Sequence, residues 1–367
     1  MQIGLLKETG QDSRVALMPD NIKELINMGV SVAVEQQAGE GVYVGDEDYR
    51  EMGSHVDGYE QVIQGSDLLI RINSFSREEL EMFQQGAVLV SLFNPLENND
   101  FLQFAASKGL TTLSLDSIPR ITRAQSMDVL SSMATIAGYK AILHAAMQLP
   151  TFFPMFMTAA GTIKPARVLI LGAGVAGLQA IATARRLGGV VEAFDVRSAV
   201  KEEVQSLGAK FIEVEGARET AEAGGYAVEQ GEDYQQKQRQ LIHDHAAKSD
   251  VIITTAQIPG KKAPLLVPKE TVEQMKPGSV IVDLAAASGG NCALTENDQT
   301  VIKHGVKIIG KSNLPAEMPL DASRMFGNNL TDFLKLLITD ESKLNLDLND
   351  DILKGTCLTH NGEMVHE

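Results

Sequence analysis

The sequence predicts an α/β protein built from two parallel-sheet domains that are joined by a long helix, with a cleft between them. Two series of short apolar runs alternate with helical patterns, one over residues 1–116 and the other over residues 166–310. A long helical pattern lies between them, and a chain of 367 residues favours two domains over one. We expect the first domain to comprise residues 1–127 and 318–367, and the second to comprise residues 128–317.

The first series consists of strand-like runs separated by helical patterns that end in glycine or lysine-glycine, as helix C-termini often do. Strands are predicted at QIGLL, VSVAVE, DLLIRI, AVLVSLF and LTTLSL, and helices at PDNIKELINMG, SREELEMFQQG and NDFLQFAASKG. Because strands that alternate with helices form crossover units, this series predicts a mostly parallel sheet covered on both faces.

A longer helix is predicted from about Ser126 to Gln148. Ser126 suits the N-cap, Asp128 favours the positive end of the helix, and Pro150 ends it. The apolar positions of this helix are most simply core positions, and they are Leu130, Ala134, Ala137, Ala141 and Leu143. A helix of this length is able to link two domains.

The second series predicts strands at ARVLILG, VVEAFDV, KFIEVE, DVIITTA, GSVIVDLA and VKIIGK. After it, DASRMFGNNLTDFLKLLITD is typical of a helix, and DDILKGTCLTHNGEMVH is typical of a hairpin with its turn at Asn361-Gly362. This tail has no strand partners of its own, so we expect it to return to the first domain.

Composition limits the partners of the chain. The net charge of −16 argues against double-stranded nucleic acid, because binding it requires a basic face that neutralises phosphates. The two cysteines, Cys292 and Cys357, imply neither a disulfide framework nor a metal cluster, and they suit a reducing cytosol. We therefore predict no bound metal.

No segment predicts export or a membrane span. The N-terminus MQIGLLKETG lacks the basic and apolar regions of a signal peptide. The most apolar stretch, residues 141–161, contains His144, Gln148, Pro150 and Pro154. These residues exclude the uninterrupted apolar helix of ~20 residues that crosses a membrane.

The segment RVLILGAGVAGLQAIATARRLGG contains the motif Gly172-x-Gly174-x-x-Gly177. An apolar strand precedes the motif, an Ala-rich helix follows it, and a second strand comes next, which is the context of a Rossmann-like dinucleotide site. The glycines permit a tight turn and a close approach of the backbone to a pyrophosphate at the helix N-terminus. A glycine turn that only packs the strand against the helix is the simpler alternative.

Asp195 lies at the end of the second strand of this unit. A carboxylate there accepts hydrogen bonds from the adenosine ribose and repels a 2′-phosphate, which favours NAD(H) over NADP(H) as the cofactor. Arg197 follows two residues later, and an arginine is able to accommodate that phosphate, so NADP(H) stays open as an alternative.

Residues 215–240 form a polar connection that is long for a fold of this type. Gly224-Gly225 offers a hinge and Tyr226 offers a ring to cover a ligand, and together they predict a lid. A solvated helical excursion is an equally good interpretation of the same residues.

The chain resembles the NAD(H)-binding component of the proton-translocating NAD(P) transhydrogenases. The resemblance covers nearly the whole chain, is strongest from Pro119 to Gly310, and implies two Rossmann-like domains. The wider superfamily includes the alanine dehydrogenases, and IGLLKETGQDSRVALMP fits both groups. The motifs that carry the resemblance are RAQSMDVLSS, AGYKA, MTAAGT, LGAGVAGLQAIATARRLGG, DVRSAVKEEVQSLGAKF, AGGYA, ITTAQIPGKKAP, MKPGSVIVDLA and GGNC.

The two groups need different side chains. In their family pattern, alanine dehydrogenases carry a lysine, a histidine and an aspartate, which serve the oxidation of a C–N bond. The corresponding places in this chain are Asn73, Asn94 and Ala287. Of the ionisable groups only Arg14 remains, and an arginine there can be structural. Direct hydride transfer between two nicotinamides needs no proton acceptor, only reacting atoms held ~3–3.5 Å apart. These residues therefore favour a transhydrogenase over an amino-acid dehydrogenase.

The resemblance assigns the segment 120–131 to the nicotinamide half of NAD(H), which it would position without acting as an acid or base. It implies that Asp128 and Ser131 bind the carboxamide, that Arg120 reaches the carboxamide or a phosphate, and that Gln125 bridges ribose hydroxyls. Without the resemblance, an ordinary capped helix start is the preferred interpretation. The residues implied to contact the cofactor are Arg120, Ile121, Thr122, Arg123, Gln125, Met127, Asp128, Ser131, Gly172, Gly174, Val175, Ala176, Gly177, Asp195, Val196, Arg197, Gly225, Tyr226, Gln238 and Gln257.

The resemblance thus implies an NAD(P) transhydrogenase of the Si-type/Re-proton-translocating class that is active only with partner subunits. The expected partners are an NADP(H)-binding transhydrogenase domain, a membrane-spanning subunit and a second copy of the chain, to which the hairpin ILKGTCLTHNGEMVH could contribute. The expected location is the cytoplasm, peripheral to the inner membrane. A self-contained amino-acid dehydrogenase and a non-catalytic NAD-binding module are the alternatives.

Overall fold

A computed structural model describes residues 1–214, 232–339 and 341–365. Contacts divide the chain into two compact units: unit 1 contains Met1–Met133 and Ala316–Glu367, and unit 2 contains Ala134–Pro315. Each unit has its own mostly parallel sheet with helices between the strands, so the predicted α/β class is confirmed.

The N-terminal portion of unit 1 alternates strands and helices along the chain. Its strands are β1 (Gln2–Leu5), β2 (Ser31–Glu35), β3 (His55–Asp57), β4 (Leu68–Asn73), β5 (Val88–Leu92) and β6 (Thr111–Ser114). The helices are α1 (Pro19–Asn27), α2 (Asp46–Glu51), α3 (Tyr59–Gly65), α4 (Arg77–Met82) and α5 (Asn99–Ser107).

These strands pair in the order β3-β2-β1-β4-β5-β6, and every pair is parallel. The central strands β1, β4 and β5 are buried on both faces, which explains their nearly continuous apolar runs. One core of unit 1 includes Leu6, Leu69, Leu89, Phe93 and Leu102.

Three short elements of unit 1, β3, α2 and α3, were not predicted from the sequence. The strand β3 reads His-Val-Asp and lies at the edge of the sheet, and α2 buries only Tyr49. Elements that bury so little apolar area leave almost no periodic hydrophobic pattern in the sequence.

The long helix α6 covers Val129–Gln148, and the division between the two units falls within it. The predicted N-cap at Ser126 is wrong, because a 3-10 helix occupies Thr122–Met127. Asp128 caps α6 instead, and its Oδ1 accepts the backbone N–H of Ser131 at 2.9 Å. A carboxylate in this position satisfies a free N–H and also suits the positive end of the helix.

The core positions predicted for α6 are only partly right. Ala141 is fully buried, whereas Leu130 is 42% exposed. The residues that α6 buries instead include Val129, Ile136 and Ile142. A helix that is apolar on nearly every side gives no clear periodic signal for the face that packs.

Unit 2 combines a short hairpin with a larger sheet. The hairpin is formed by β7 (Phe156–Thr158) and β8 (Gly161–Ile163). The sheet strands are β9 (Arg167–Leu171), β10 (Val190–Phe194), β11 (Lys210–Ile212), β12 (Val251–Thr254), β13 (Val280–Asp283), β14 (Thr300–Lys303) and β15 (Val306–Ile309). The helices are α7 (Val175–Arg186), α8 (Lys201–Ser206), α9 (Glu232–Ala246) and α10 (Lys269–Gln274).

The strands of unit 2 follow the order β11-β10-β9-β12-β13-β15-β14. All pairs are parallel except β14 with β15, and β14 was not predicted. The strand order reverses at β9, which pairs with both β10 and β12. Ligands of doubly wound sheets bind outside the carboxyl ends of the strands at such a reversal.

The C-terminal segment adds α11 (Pro319–Leu337), α12 (Asp351–Thr356), β16 (Cys357–His360) and β17 (Glu363–Met364) to unit 1. Strand β16 pairs antiparallel with β6, and β17 pairs with β16. The predicted hairpin over the whole tail is wrong in its first half, which is the helix α12. The turn at Asn361-Gly362 is present, with φ values of +51° and +85°.

Among the residues that the structure describes, no helix is both long enough and apolar enough to span a membrane.

Candidate dinucleotide-binding site

The glycine turn of unit 2 connects β9 to α7. Gly172 has a φ of +103°, and its N–H donates to the carbonyl of Phe194 at 2.8 Å. A Cβ at Gly177 would lie 1.9 Å from the carbonyl oxygen of Gly172. Only glycine therefore allows α7 to pack this closely against the turn.

The middle glycine, Gly174, leaves space beside the N-terminus of α7. A Cβ on Gly174 would meet Nη2 of Arg197 at 4.0 Å, with no closer described atom. Gly174 occupies the N-cap position and provides no side-chain cap, and Val175 next to it is 43% exposed. The first N–H groups of a helix lack acceptors within the helix and attract anions. Space and donors suited to a pyrophosphate thus coincide here.

Asp195, just after β10, is 8% exposed and lies beside the glycine turn. Its Oδ2 accepts the backbone N–H of Ala173 at 2.7 Å, and its Oδ1 accepts the backbone N–H of Arg197 at 2.9 Å. The guanidinium of Arg197 also donates to both oxygens, from Nε at 2.9 Å and from Nη2 at 2.8 Å. The hydrogen bonds that Arg197 donates to Asp195 raise the pKa of Arg197 above its ordinary value. Val196, between the two, packs against the core.

The loop after β12 completes the described part of this crevice. Thr255 Oγ1 donates to the carbonyl of Gly172 at 3.1 Å, and Gln257 Nε2 donates to the carbonyl of Leu284 at 3.0 Å. Gln257 is an exposed residue at the carboxyl end of the strand, where the predicted cofactor contact would form.

Asn291, which was not predicted as a site residue, holds this loop in place. Its carboxamide accepts the N–H of Ala256 at 3.0 Å and donates to the carbonyls of Ala256 and Pro264 at 2.8 Å. The backbone N–H of Asn291 donates to Asp283 Oδ2 at 2.8 Å. The motif GGNC contains this asparagine, but its partners are about thirty residues away in the sequence, so only the fold reveals its role.

The segment predicted to bind the nicotinamide lies in unit 1 as a 3-10 helix and the cap of α6. Asp128 Oδ2 accepts the hydroxyl of Ser131 at 2.6 Å, in addition to the N–H that caps the helix. These two residues are thus brought together and hold each other in place. A carboxylate oxygen has two lone pairs, so Asp128 keeps further capacity to accept a carboxamide N–H.

Two residues from the C-terminal segment support this loop. Arg123 forms a bidentate ion pair with Asp350, at 2.7 and 2.9 Å, and Asp350 also caps α12. Asn329 on α11 donates to the carbonyl of Ser126 at 2.6 Å and accepts from the hydroxyl of Ser132 at 2.6 Å. Neither Asn329 nor Asp350 was predicted, because nothing near them in the sequence signals the contact. The guanidinium of Arg123, predicted to contact the cofactor, is engaged by Asp350.

The other predicted contact residues differ in exposure. Within the loop, Met127 is buried, whereas Arg120, Ile121, Thr122 and Gln125 are exposed. In unit 2, Ala176 and Gln238 are partly buried, the first on α7 and the second on α9. The hinge Gly224-Gly225 and Tyr226 lie outside the described residues, as does most of the predicted lid.

The places where alanine dehydrogenases carry ionisable groups hold other contacts here. Asn73 Nδ2 donates to Glu8 Oε2 at 2.7 Å and to Asp12 Oδ2 at 2.9 Å. Asn94 is exposed with a φ of +48°, and Ala287 is exposed in a short 3-10 helix.

The cluster around Asn73 is buried and charged. Arg14, 5% exposed, pairs with Asp12 at 2.6 Å. Burial alone would raise the pKa of Asp12, but the hydrogen bonds and charge of Arg14 outweigh it and lower that pKa to about 2. Burial raises the pKa of Glu8 to about 7, against the hydrogen bonds from Ile72 and Asn73. The guanidinium of Arg14 is thus engaged by Asp12, as expected for an arginine with a structural role.

Within the described residues, no group of three or more His, Cys, Asp or Glu side chains is placed to hold a metal ion.

The fold and the glycine turn define a nucleotide-binding α/β protein of the Rossmann type. Family models match the chain at two places: "Alanine dehydrogenase/PNT, N-terminal domain" over residues 4–137 and "Alanine dehydrogenase/PNT, C-terminal domain" over residues 141–367. The chain belongs to the alanine dehydrogenase/PNT family.

The chain is also similar to curated proteins that are named as transhydrogenase subunits. The chain is 45% identical to a Rhodospirillum rubrum protein named as the first part of NAD(P) transhydrogenase subunit alpha, covering 100% of this chain and 98% of the relative. It is 41% identical to NAD(P) transhydrogenase subunit alpha of Haemophilus influenzae, covering 100% of this chain and 72% of that relative.

Two solved structures are similar over almost the whole chain. The transhydrogenase from Sinorhizobium meliloti matches with a TM-score of 0.91 and 42% identity, over 99% of this chain and 100% of that one. An L-alanine dehydrogenase matches with a TM-score of 0.84 and 25% identity, over 100% of this chain and 97% of that one. The resemblance drawn from the sequence motifs is confirmed.

Proposed function

We propose that this chain is the NAD(H)-binding subunit of a proton-translocating NAD(P) transhydrogenase, in which hydride passes directly between NADH and NADP⁺ held by a partner. One observation carries the choice within the family. At the three places where an amino-acid dehydrogenase needs ionisable groups, this chain has Asn73, Asn94 and Ala287, and the amide of Asn73 is engaged by two carboxylates. The 45% identity to a transhydrogenase alpha subunit supports the same choice.

In this proposal unit 2 binds the adenosine and pyrophosphate of NAD(H). Asp195 accepts the ribose hydroxyls, and the N–H groups at the start of α7 bind the pyrophosphate across Gly174. The remaining predicted contacts, Val175, Ala176 and Gly177 on α7 and Gln257 after β12, line the same turn or follow the neighbouring strand.

The nicotinamide half is assigned to the loop of unit 1. Asp128 and Ser131 would bind the carboxamide, Arg120 would reach the carboxamide or a phosphate, and Gln125 would bridge ribose hydroxyls. The nucleotide supplies the hydride, and these residues orient the ring. None has to take up a proton, because direct transfer requires only a near-attack geometry.

The partners proposed are an NADP(H)-binding transhydrogenase domain and a membrane-spanning subunit. The complete enzyme would be a transhydrogenase of the Si-type/Re-proton-translocating class. Support comes from the relatives named as alpha subunits, a name that implies further subunits. The corresponding location is cytoplasmic, peripheral to the inner membrane.

We also propose a homodimer, with the β7–β8 hairpin as a main component of its interface. All residues of both strands are exposed, and the apolar side chains of the hairpin include Met157 at 75%, Phe156 at 41% and Ile163 at 39% exposure. Phe152, 53% exposed, lies edge-on to Phe156 at 4.7 Å. Contiguous exposed apolar surface of this kind marks an interaction site, and a second copy is the occupant that the resemblance implies. The C-terminal hairpin is a weaker candidate, because β16 is mostly buried in the sheet of unit 1.

The function is tested by mixing the protein with an NADP(H)-binding transhydrogenase domain and following hydride transfer from NADH to a thionicotinamide analogue of NADP⁺. We expect transfer in the mixture and none with either component alone. A parallel incubation with NAD⁺ and L-alanine should produce no NADH, and NADH formation there would establish an amino-acid dehydrogenase instead. Binding of NADH without any transfer would support a non-catalytic module.

The dimer is tested by sedimentation of the double variant Met155→Asp/Met157→Asp beside the wild-type protein. We expect the variant to dissociate at concentrations where the wild type is dimeric. Met82→Asp, at an exposed methionine of unit 1, is the matched control and should leave the association constant unchanged. Equal association of the double variant and the wild type would contradict this interface.

A further inference from the structure

The carboxylate of Asp195 has no acceptor capacity left for a ribose as the structure stands. A carboxylate offers about four lone-pair positions, two on each oxygen. The donors to Oδ1 are the backbone N–H and Nε of Arg197, and the donors to Oδ2 are the backbone N–H of Ala173 and Nη2 of Arg197. A ribose diol requires two acceptor positions, so it cannot bind Asp195 until two of these donors leave.

The two donors able to leave belong to the same side chain. The backbone donors of Ala173 and Arg197 are held by the fold, whereas the Arg197 side chain is 29% exposed and is able to rotate about its own bonds. Its withdrawal opens one position on Oδ1 and one on Oδ2. That pair of positions matches the two adjacent hydroxyls of a ribose, so the guanidinium fork occupies the place that the diol requires.

The same side chain lies where a pyrophosphate would approach. Nη2 of Arg197 is 4.0 Å from the Cβ position of Gly174, the residue that leaves space beside the start of α7. A guanidinium released from Asp195 therefore remains within reach of an anion bound at the N-terminus of α7. Arginine forms bidentate, charge-assisted hydrogen bonds with phosphate groups.

We propose that Arg197 is a specificity-determining residue that exchanges Asp195 for the pyrophosphate of the incoming nucleotide. The inference rests on the proposed NAD(H) site and adds the role of Arg197 to it. A ligand with a ribose but no phosphate has to break the Arg197–Asp195 ion pair and brings no anion of its own to the guanidinium. A ligand with a 5′-diphosphate provides a new partner for the guanidinium, so the site favours dinucleotides and nucleoside diphosphates over nucleosides.

The experiment compares the binding of adenosine, ADP and NADH to the wild-type protein, Arg197→Met and Arg197→Lys by isothermal titration calorimetry. Arg197→Met removes the competing fork and the cation together. We expect adenosine to bind about threefold to fivefold more tightly, as befits a partly exposed ion pair. We expect ADP and NADH to bind roughly tenfold more weakly, because a charged hydrogen bond to phosphate is lost.

Arg197→Lys separates the two effects, because lysine keeps the charge but lacks the fork. It should bind adenosine as tightly as Arg197→Met does, and it should bind ADP more tightly than Arg197→Met does. The proposal is overturned if adenosine and ADP change in the same direction in Arg197→Met, or if neither changes. It is also overturned if Arg197→Lys and Arg197→Met bind ADP with equal affinity. Failure of the wild-type protein to bind NADH at all would instead refute the proposed function.

Discussion

The side chain of Asn73 is hydrogen-bonded to the carboxylate of Glu8, and its Nδ2 donates to Oε2 at 2.7 Å. The backbone N–H of Asn73 donates to the same oxygen at 3.1 Å. The other hydrogen of the amide reaches Asp12 at 2.9 Å. Glu8 also accepts the N–H of Ile72 at 2.5 Å. The amide of Asn73 thus bridges two buried carboxylates, which gives this position a structural task.

The first prediction follows from Glu8 and concerns the pH dependence of stability. Burial raises the pKa of Glu8 to about 7, from an ordinary value of 4.5, so the folded protein holds this proton more tightly than the unfolded chain. The contribution to the free energy of unfolding is therefore fully present below pH 4.5 and is lost as the pH rises through about 7. The loss is on the order of 3 kcal/mol. Asp12 does not titrate in this window, because its pKa is about 2.

Glu8→Gln provides the control for this measurement. Urea denaturation of both proteins across the window should show a difference in slope, with the free energy of unfolding of the wild type falling more steeply with pH. Other titrating groups are common to both proteins and cancel in the comparison. Parallel pH profiles would show that Glu8 does not titrate near neutrality.

A second prediction separates packing from ligand approach at the glycine turn. Gly177→Ala places a Cβ 1.9 Å from the Gly172 carbonyl, so it should destabilise the protein by several kcal/mol and weaken NADH binding as well. Gly174→Ala meets Arg197 Nη2 at 4.0 Å, so it should leave the unfolding temperature nearly unchanged. It should nevertheless weaken NADH binding, because the new methyl group occupies the approach of the pyrophosphate. Unimpaired NADH affinity of Gly174→Ala would place the phosphate elsewhere.

A third prediction concerns the choice between NADH and NADPH at Asp195. In the proposed site the charge of Asp195 binds the ribose and repels a 2′-phosphate. Asp195→Asn removes this charge, and it also releases Arg197 to face such a phosphate. A hydrogen bond to a charged group contributes ~1.5–3 kcal/mol, so NADH should bind at least roughly tenfold more weakly. The preference for NADH over NADPH should narrow, as measured by fluorescence titration with both nucleotides.

Asp250→Asn is the matched control for this titration. Asp250 is another unit 2 carboxylate with a basic partner, since its Oδ1 accepts Nζ of Lys276 at 2.8 Å. This variant should keep the wild-type ratio of the two affinities. An unchanged ratio in Asp195→Asn would remove Asp195 from the ribose site.

A fourth prediction concerns Gln125, which is exposed in the 3-10 helix before α6. It is long and uncharged, and it is able both to donate and to accept hydrogen bonds. If the ribose hydroxyls that Gln125 bridges belong to both nucleotides, Gln125→Asn should leave NADH affinity within a few fold but slow hydride transfer by ~10²-fold, as a displacement of ~1 Å can. The test measures the NADH affinity at equilibrium and the single-turnover rate of hydride transfer in the reconstituted complex, for the variant and for the wild type.

Gln103→Asn, at an exposed position on α5, is the control with the same loss of one methylene. It should change neither quantity. Equal losses of binding and transfer in Gln125→Asn would assign the residue to binding alone, and no loss in either would remove it from the site.

A fifth prediction tests Asn291 as the residue that positions the loop after β12. Asn291→Ala leaves the N–H and carbonyl of Ala256 without their partner, and each buried unsatisfied group costs about 1–3 kcal/mol. The variant should unfold at lower temperature and bind NADH more weakly, while Asn297→Ala, at an exposed asparagine of the same unit, should do neither. Wild-type NADH affinity in a destabilised Asn291→Ala would limit the residue to a structural role.

Local patterns in the sequence were enough to predict the α/β class and most central strands. Apolar runs alternate regularly with helical patterns, because buried parallel strands need apolar residues on both faces. The spacing of Gly172, Gly174 and Gly177 predicted the turn, because the positive φ of Gly172 and the close contact of Gly177 with the Gly172 carbonyl are both set within the turn itself. The position of Asp195 was predictable for the same reason, because a residue at the end of the second strand is set by the βαβ unit.

Relations between residues far apart in the chain emerged only from the folded structure. The fold placed β16 beside β6, Asp350 against Arg123, Asn329 against the loop before α6, and the fork of Arg197 on Asp195. The folded structure also showed that Asp128 caps α6, and not Ser126 as predicted. A hydrogen bond forms only over a short distance and in a narrow range of directions. Which groups become partners therefore depends on the positions that they take in the folded chain. Apolar periodicity records which face of an element is buried, but not which polar group will meet it there.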